Sequence, residues 1–186
     1  RLEEAQKGQP RVFFVDAAHF VLGAFLGMIW CFRRLFIRTS SGRQRYNVLG
    51  AVETLDHEMV TVRTTESINA QTICQLVRNI DEKYPGESIT LVLDNARYQR
   101  NWHVTELAAE LGIELLYLPT YSPNLNLIER VWKLVKSKCL RNRYYEDFGE
   151  FRGAIDSFLD SLNGSNKILL ESLLTEKFHI PIIPKT

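Results

Sequence analysis

The sequence predicts an α/β domain built on a mixed β-sheet that carries helices on both faces. The first third of the chain contains apolar and alternating segments separated by turn residues, which is typical of antiparallel strands. The second third alternates helical periodicity with short apolar runs, which is typical of strands covered by helices. The chain has 186 residues, 45% hydrophobic and 24% charged, so it is long enough to bury the core of one globular domain.

The elements of the first third follow from apolar runs and alternation. Arg11–Asp16 is predicted to be a buried strand that ends at the acid, because its apolar run Val12–Val15 suits a strand covered on both faces. The apolar stretch Gly23–Phe36 predicts one or two further strands. Arg43–Glu53 is predicted as the next strand, and Glu58–Thr65 alternates and pairs back on it as a hairpin.

The rest of the chain alternates helices and strands. An amphipathic stripe with a polar N-cap and a Pro-Gly stop predicts the first helix, and the later elements follow from similar patterns. In order, these elements are a helix at Ser67–Tyr84, a strand at Ile89–Leu93, a helix at Asn101–Leu111, a strand at Ile113–Leu118, a helix after Pro123 and a helix at Glu146–Asn163. We therefore expect one domain at residues 11–163, preceded by a linker at 1–10 and followed by a tail at 164–186.

The distribution of charge favours a polyanionic partner. The net charge is only +1, but no acid occurs between Asp16 and Glu53, and residues 130–143 contain six basic residues and no acid. Basic stretches beside candidate catalytic acids suit nucleic acid, although a solvated basic face is an equally good explanation of either stretch alone. The candidate DNA-contacting residues are Arg43, Arg45, Arg97, Arg100, Lys133, Lys136 and Arg143.

The cysteine and hydropathy patterns indicate in which cellular compartment the protein is expected. The three cysteines are odd in number and lack metal-type spacing, so reduced core cysteines in a cytoplasmic protein are expected. The longest uncharged run, Ala17–Phe32, is shorter than the roughly 20 apolar residues that a membrane span needs, so no membrane contact is expected.

Three acids are predicted to form a catalytic and metal-binding set. Asp16 and Asp94 each follow an apolar strand, and Glu129 lies in the helix after Pro123. Carboxylates brought to adjacent ends of regular elements repel one another unless a cation neutralises them, and Mg²⁺ prefers such oxygen ligands. Two ions of this kind could clamp a phosphodiester. For each acid taken singly, a cap, a turn or a surface charge is the preferred interpretation, and it is the set of three in this arrangement that favours a metal site.

Three polar residues are weaker candidates for auxiliary roles. His19 could contact a phosphate or a metal-bound water, but a structural histidine is the preferred interpretation. Asn95 could orient a metal ligand or simply form the turn at the end of a strand. Asn126 lies in the turn that opens the helix of Glu129 and could contribute more than that turn.

The segments around the three acids resemble those of one known family. FFVDAAHF around Asp16, LVLDNARYQ around Asp94 and LPTYSPNLNLIERVWK around Glu129 are similar to the catalytic domain of mariner-like DDE transposases, in their bacterial insertion-sequence (family six-thirty) branch. Residues 95–128 separate the second and third acids, and these 34 positions match the spacing of that superfamily. The resemblance covers Arg11–Leu162, which is nearly the whole chain.

The resemblance implies a fold, a cofactor and a reaction. The implied fold is ribonuclease H-like, as in retroviral integrases, with a mixed five-stranded sheet flanked by helices. Asp16, Asp94 and Glu129 would hold two Mg²⁺ ions, for which Mn²⁺ substitutes. The implied reaction is hydrolysis at transposon ends, followed by attack of the freed 3′-hydroxyl on double-stranded target DNA at TA sites.

The resemblance also implies an assembly, a location and one departure. It suggests a homodimer in a bacterial or archaeal cell, associated with the nucleoid, and an N-terminal DNA-binding region upstream of residues 1–10, without which the chain should bind transposon ends poorly. Family members often carry a second acid after the first Asp, whereas Ala17 and Ala18 stand here. A host nuclease of the same fold and a non-catalytic DNA-binding or assembly module are the alternatives.

Overall fold

The computed structural model describes residues 10–23, 44–119 and 126–174. These residues form a five-stranded sheet and five α-helices, with a 3₁₀ turn at Arg97–Arg100 and a π-helical turn at Lys136–Leu140. The strands are β1 (Arg11–Val21), β2 (Arg45–Glu53), β3 (Met59–Thr64), β4 (Ile89–Leu93) and β5 (Glu114–Tyr117), and the helices are α1 (Ala70–Lys83), α2 (Trp102–Glu110), α3 (Ile128–Val135), α4 (Phe148–Ser161) and α5 (Lys167–Leu173).

The sheet is mixed, as the sequence predicts. Its strand order is β3-β2-β1-β4-β5. The first three strands pair in antiparallel fashion, whereas β4 is parallel to β1 and β5 is parallel to β4. The hairpin predicted from the alternation of Glu58–Thr65 is confirmed as β2 and β3.

Alternation along β1 gives each face of the sheet its own core. Phe13 and Val15 face α1 and α2, while Phe14, Ala18 and Phe20 face the side covered by α3, α4 and α5. Side chains of a strand point to opposite faces in turn, so this pattern assigns every position of β1 to one face. Even-numbered positions lie beneath α3.

The first strand is longer than its apolar run. The prediction that it ends at Asp16 is wrong, because β1 continues to Val21 and pairs with β2 throughout. Ala18 and Phe20 are buried and continue the alternation beyond the acid. Asp16 therefore lies within a strand rather than at its end. The strands predicted within Gly23–Phe36 and most of that segment lie outside the described residues.

The α-helix that carries Glu129 ends at Val135. After Val135 the chain enters the π-helical turn, in which the Arg141 amide donates to the Lys136 carbonyl at 3.1 Å. This wider turn ends the regular spacing of α3 at Val135.

The packed domain extends to Leu174. Leu170 on α5 and the following Leu174 are buried in the same core as α3 and α4. Arg130 donates to the Leu173 carbonyl at 3.2 Å, which ties α5 to α3. The first part of the predicted tail is thus helical and belongs to the core.

No helix among the described residues is long and apolar enough to cross a membrane.

Candidate active site

Asp16 and Asp94 lie side by side on neighbouring parallel strands. Val15 of β1 pairs with Leu93 of β4. Asp16 and Asp94 are the residues that follow this pair. Neighbouring strands are about 4.8 Å apart, so the two backbones hold the acids close together. Val92 belongs to the core beneath α3, so the alternation of β4 directs position 94 to the face that Asp16 occupies.

The start of α3 brings Glu129 to the same place. Asn126 is buried and donates from Nδ2 to the Val15 carbonyl at 3.1 Å, immediately before Asp16. The Glu129 amide in turn donates to the Asn126 carbonyl at 3.2 Å. The first turn of α3 is therefore tied to β1 at the acid. Asn126, predicted as an auxiliary residue, lies directly at the site.

A glycine in the sheet allows α3 to approach closely. Gly50 is the β2 partner of Asp16. A Cβ atom at Gly50 would lie 2.7 Å from Cη2 of Trp132, which is closer than real Cβ contacts, and 3.2 Å from Cδ1 of Ile128, which is a tight contact. The missing side chain thus makes room for α3, whose Trp132 is one turn beyond Glu129.

The electrostatics show that the three acids influence one another. Burial is the main reason why the pKa of Asp16 is raised to about 6, and the negative charges of Asp94 and Glu129 raise it further. The Ala17 amide and the Trp132 indole oppose this rise. Asp16 is therefore a half-buried carboxyl whose neighbours include two further acids.

The charges of Asp94 and Asp16 also act on Tyr98, which packs against the core beneath α1 and α2. Burial raises the pKa of its hydroxyl to about 12, and the charges of Asp94 and Asp16 add to that effect. Sequence patterns alone do not identify this tyrosine as a site residue. Its position four residues after Asp94, in the 3₁₀ turn, offers no spacing signal that distinguishes it from a core aromatic residue.

The three acids are neighbours, but their side chains do not form a complete ligand set. In residues 10–23, 44–119 and 126–174, no group of three or more His, Cys, Asp or Glu side chains is arranged to hold a metal ion. Asp94 is exposed and Glu129 is half-buried, so both side chains have room to turn. The assignment of these acids as metal ligands stays a prediction.

His19 does not belong to this constellation. It lies three positions after Asp16 on the same strand, so it projects from the opposite face of the sheet. Its Nδ1 is 2.6 Å from Oδ1 of Asn47, its partner on β2, and Asn47 donates to the Glu66 carbonyl at 2.7 Å. The structural interpretation of this histidine therefore explains its position, and the auxiliary role does not.

Asn95 shapes the turn after Asp94. Its φ of 76° is in the left-handed region, which asparagine tolerates better than most residues. Its Oδ1 accepts a hydrogen bond from Arg100 Nε, and the Arg100 guanidinium lies 5.0 Å from the centre of the Tyr117 ring. Asn95 and Arg100 are thus engaged with each other.

The other basic candidates are spread around the site. Arg97 is exposed three residues after Asp94, and Lys133 is exposed on α3 beside Trp132. Arg45 is exposed where β2 begins, five positions along the register from Gly50. Arg143 lines a cleft of about 530 Å³ with Lys138 and Phe158, away from the acids. Lys136 is half-buried, and Arg43 lies outside the described residues.

The family is established by a match over most of the chain. The family model described as DDE superfamily endonuclease matches residues 11–152, so the chain belongs to the DDE superfamily of endonucleases. The matched segment contains Asp16, Asp94 and Glu129. The resemblance drawn from the motifs around these acids is confirmed at the level of the family.

Sequence relatives place the chain near bacterial insertion elements. It is 23% identical over 169 residues to the insertion element IS630 uncharacterized 39 kDa protein of Shigella sonnei, covering 87% of this chain and 48% of the relative. It is 34% identical over 79 residues to the uncharacterized protein y4pE/y4sA of Sinorhizobium fredii, covering 42% of this chain and 53% of that protein. The chain thus spans about half the length of these curated relatives.

Solved structures confirm the predicted ribonuclease H-like fold. The Mos1 strand transfer complex superimposes with a TM-score of 0.64 at 13% identity, covering 92% of this chain and 58% of that chain. The catalytic core domain of BIV integrase gives a TM-score of 0.54 at 17% identity, covering 87% of this chain and 94% of that one. The fold is that of transposase and integrase catalytic cores.

Proposed function

We propose that this chain is the catalytic core of an insertion-element transposase, which cleaves DNA at the ends of the element and joins the freed ends to target DNA. The observation that carries the proposal is the convergence of Asp16, Asp94 and Glu129 on one face of the sheet, within the segment that matches the DDE endonuclease family. The relationship to the IS630 protein supports the assignment to an insertion element.

The three acids would hold the divalent cations. Asp16 is half-buried beside two other negative charges, and the carboxylate oxygens are the ligands that Mg²⁺ and Mn²⁺ prefer. When bound, two such ions supply activation of the attacking oxygen and stabilisation of the leaving oxygen. Mos1 complexes solved with Mn and with Mg share this fold, which supports the same cofactors here.

The protein groups around the acids hold them in place for this chemistry. Asn126 fastens the start of α3 to the carbonyl before Asp16, so Glu129 cannot drift from β1 without breaking a buried hydrogen bond. Gly50 lets the same helix rest on the sheet. Because these anchors join α3 to β1 and to its partner strand β2, movements of α3 and the sheet are coupled.

The proposed substrate is double-stranded DNA, with TA as the target dinucleotide. Arg97 is exposed three residues after Asp94, and Lys133 is exposed on α3 with Glu129, which supports a role for both in contacting phosphates beside the scissile bond. The paired-end complex of the Mos1 transposase has a similar fold, which supports a homodimer that acts on two ends. Such a protein would work on the bacterial chromosome, in the nucleoid.

A plasmid-nicking assay with a matched pair of variants tests the proposal. The 186-residue chain is incubated with supercoiled plasmid and Mg²⁺ or Mn²⁺, together with Asp94→Asn and, as a control, Asp81→Asn on α1. We expect nicking that requires the cation, is lost in Asp94→Asn and is retained in Asp81→Asn. Nicking that Asp94→Asn leaves unchanged would contradict the proposal.

The same assay separates the alternative functions. A host nuclease of this fold would cut a branched DNA or an RNA–DNA hybrid in preference to plasmid or element-end DNA. A non-catalytic module would bind DNA with strong salt dependence, without any requirement for divalent cation and without cleavage. Comparison of these substrates at one salt concentration distinguishes the three.

A further inference from the structure

The indole of Trp132 is packed between α3 and the sheet, next to Asp16. Only 4% of its surface is exposed, and it meets the ring of Phe20 edge-on, with centroids 6.3 Å apart and planes at 79°. Its Cη2 and Cζ2 atoms occupy the space that a side chain at Gly50 would fill, at 2.7 and 2.8 Å from that Cβ position. Since Gly50 pairs with Asp16 across the strands, the indole lies over the immediate neighbour of the acid.

Within the described part of the chain, the N–H group of this indole has no hydrogen-bond acceptor. Nε1 is buried and makes no hydrogen bond within normal distance. A buried donor without a partner is costly, and such groups in folded proteins call for an explanation. Cζ2 of the same ring lies over Gly50, the strand partner of Asp16, and the indole opposes the rise in the pKa of Asp16, so this carboxyl is the candidate acceptor.

We propose that Trp132 is a positioning residue, whose indole N–H donates to one oxygen of the Asp16 carboxylate and leaves the other oxygen free for the cation. The inference rests on the proposed metal site. Asp94 and Glu129 both repel Asp16, so without a donor its carboxylate would turn away from them. A fixed N–H on a buried ring, held by Phe20 and Gly50, prevents that rotation. Partners of this kind orient metal ligands in other sites and strengthen metal binding.

The alternative is that Trp132 serves only to fill the core. A core role depends on the shape of the ring, whereas the positioning role depends on its N–H group. Trp132→Phe removes the N–H together with part of the ring. Replacement of Trp132 by 3-benzothienylalanine keeps the bicyclic shape and substitutes sulfur for the N–H, so it separates the two roles. Trp102→Phe is the matched control, since Trp102 is 62% exposed and distant in the fold from Gly50.

Titration with Mn²⁺ alone, followed by the electron paramagnetic resonance signal of the free ion, measures the effect without any need for catalysis. We expect the Kd for Mn²⁺ to rise about 10-fold in both Trp132 variants and to stay unchanged in Trp102→Phe. We expect the melting temperature of the benzothienylalanine protein in EDTA to equal that of the wild type.

Three outcomes decide between the roles. A weaker Mn²⁺ affinity in the benzothienylalanine protein, with unchanged melting in EDTA, supports positioning through the N–H. A Kd equal to that of the wild type in that protein overturns the inference and leaves the proposed metal site intact, provided that Asp94→Asn binds Mn²⁺ more weakly. Equal binding by the wild type and Asp94→Asn overturns the metal site itself, and the inference with it.

Discussion

Two carboxyl groups are buried on adjacent strands of the sheet, one on each face, and their surroundings differ. Glu53 at the end of β2 is fully buried on the face of α1, and its Oε2 accepts from the Leu55 amide at 2.7 Å and from the Asp56 amide. Asp16 on β1 lies on the face of α3, with Asp94 and Glu129 as its charged neighbours. Burial raises the pKa of both groups.

The two carboxyl groups differ in the neighbouring groups that offset the free-energy cost of burying their charge. Two backbone N–H groups stabilise the Glu53 carboxylate, and that hydrogen bonding closes the turn between β2 and β3. Around Asp16 the Ala17 amide and the Trp132 indole oppose the cost of burial, but the charges of Asp94 and Glu129 add to it. A carboxyl that serves the fold receives donors, whereas a carboxyl placed among other acids is unfavourable until a cation binds. The comparison predicts that replacing the Asp16 carboxyl stabilises the fold in the absence of cation, whereas deleting the Glu53 acceptor destabilises it.

Removal of the Asp16 charge should have the largest effect. Asp16→Asn is expected to abolish cation-dependent nicking and, in EDTA at pH 7, to raise the free energy of unfolding by about 2 kcal/mol. The sign follows from the raised pKa. The folded state holds the proton up to about pH 6 and the unfolded state releases it near 3.8, so wild-type stability falls as the pH rises between these values. Chemical denaturation from pH 3.5 to 8 measures this.

The variant and the wild type should therefore differ in the slope of stability against pH. Asp16→Asn should lack the decrease between pH 3.8 and about 6. Asp94→Asn is the comparison variant, because it removes one neighbouring charge and should reduce the decrease without abolishing it. A free energy of unfolding that drops at pH 7 in Asp16→Asn would show that the carboxylate stabilises the fold.

At Glu53 the expected change in stability is opposite in sign, and no loss of nicking is expected. Glu53→Ala leaves the Leu55 and Asp56 amides without their acceptor and should cost about 1–3 kcal/mol of stability. Glu53→Gln keeps a carbonyl oxygen in place and should cost less than about 1 kcal/mol. Urea denaturation at pH 7 measures both, and plasmid nicking below the melting temperature should match the wild type. Equal losses in the two variants would mean that the charge, rather than the acceptor, supports the turn.

Much of the fold follows from patterns along the chain that reflect local physics. The alternation of β3 and the apolar run of β4 determine which residues face a core. Asn69 caps α1, as expected for a polar residue that immediately precedes an amphipathic helix. The end of β1 was mispredicted because the residues after Asp16 include two alanines and a histidine. Their strand conformation is set by pairing with β2, which is a tertiary contact.

Some residues of the candidate site can likewise be identified from the sequence, and others depend on tertiary contacts. The acids could be selected from the sequence, because carboxylates after apolar runs and the spacing of the family motifs are both visible there. Gly50 and Trp132 could not, because their roles arise from the approach of α3 to β2, which are distant in the chain. A glycine within a strand does indicate close approach of another element, but it does not identify which one.

His19 provides the smallest effect and the sharpest internal control, since it shares a strand with Asp16 and lies on the other face. His19→Ala removes the contact with Asn47, whose amide still donates to the Glu66 carbonyl, so the loss of stability should stay near 0.5–1 kcal/mol, as a rough value. Nicking and Mn²⁺ affinity should equal those of the wild type. A large loss of nicking in a variant that remains folded would mean that the histidine reaches the acids, which the alternation of β1 does not allow.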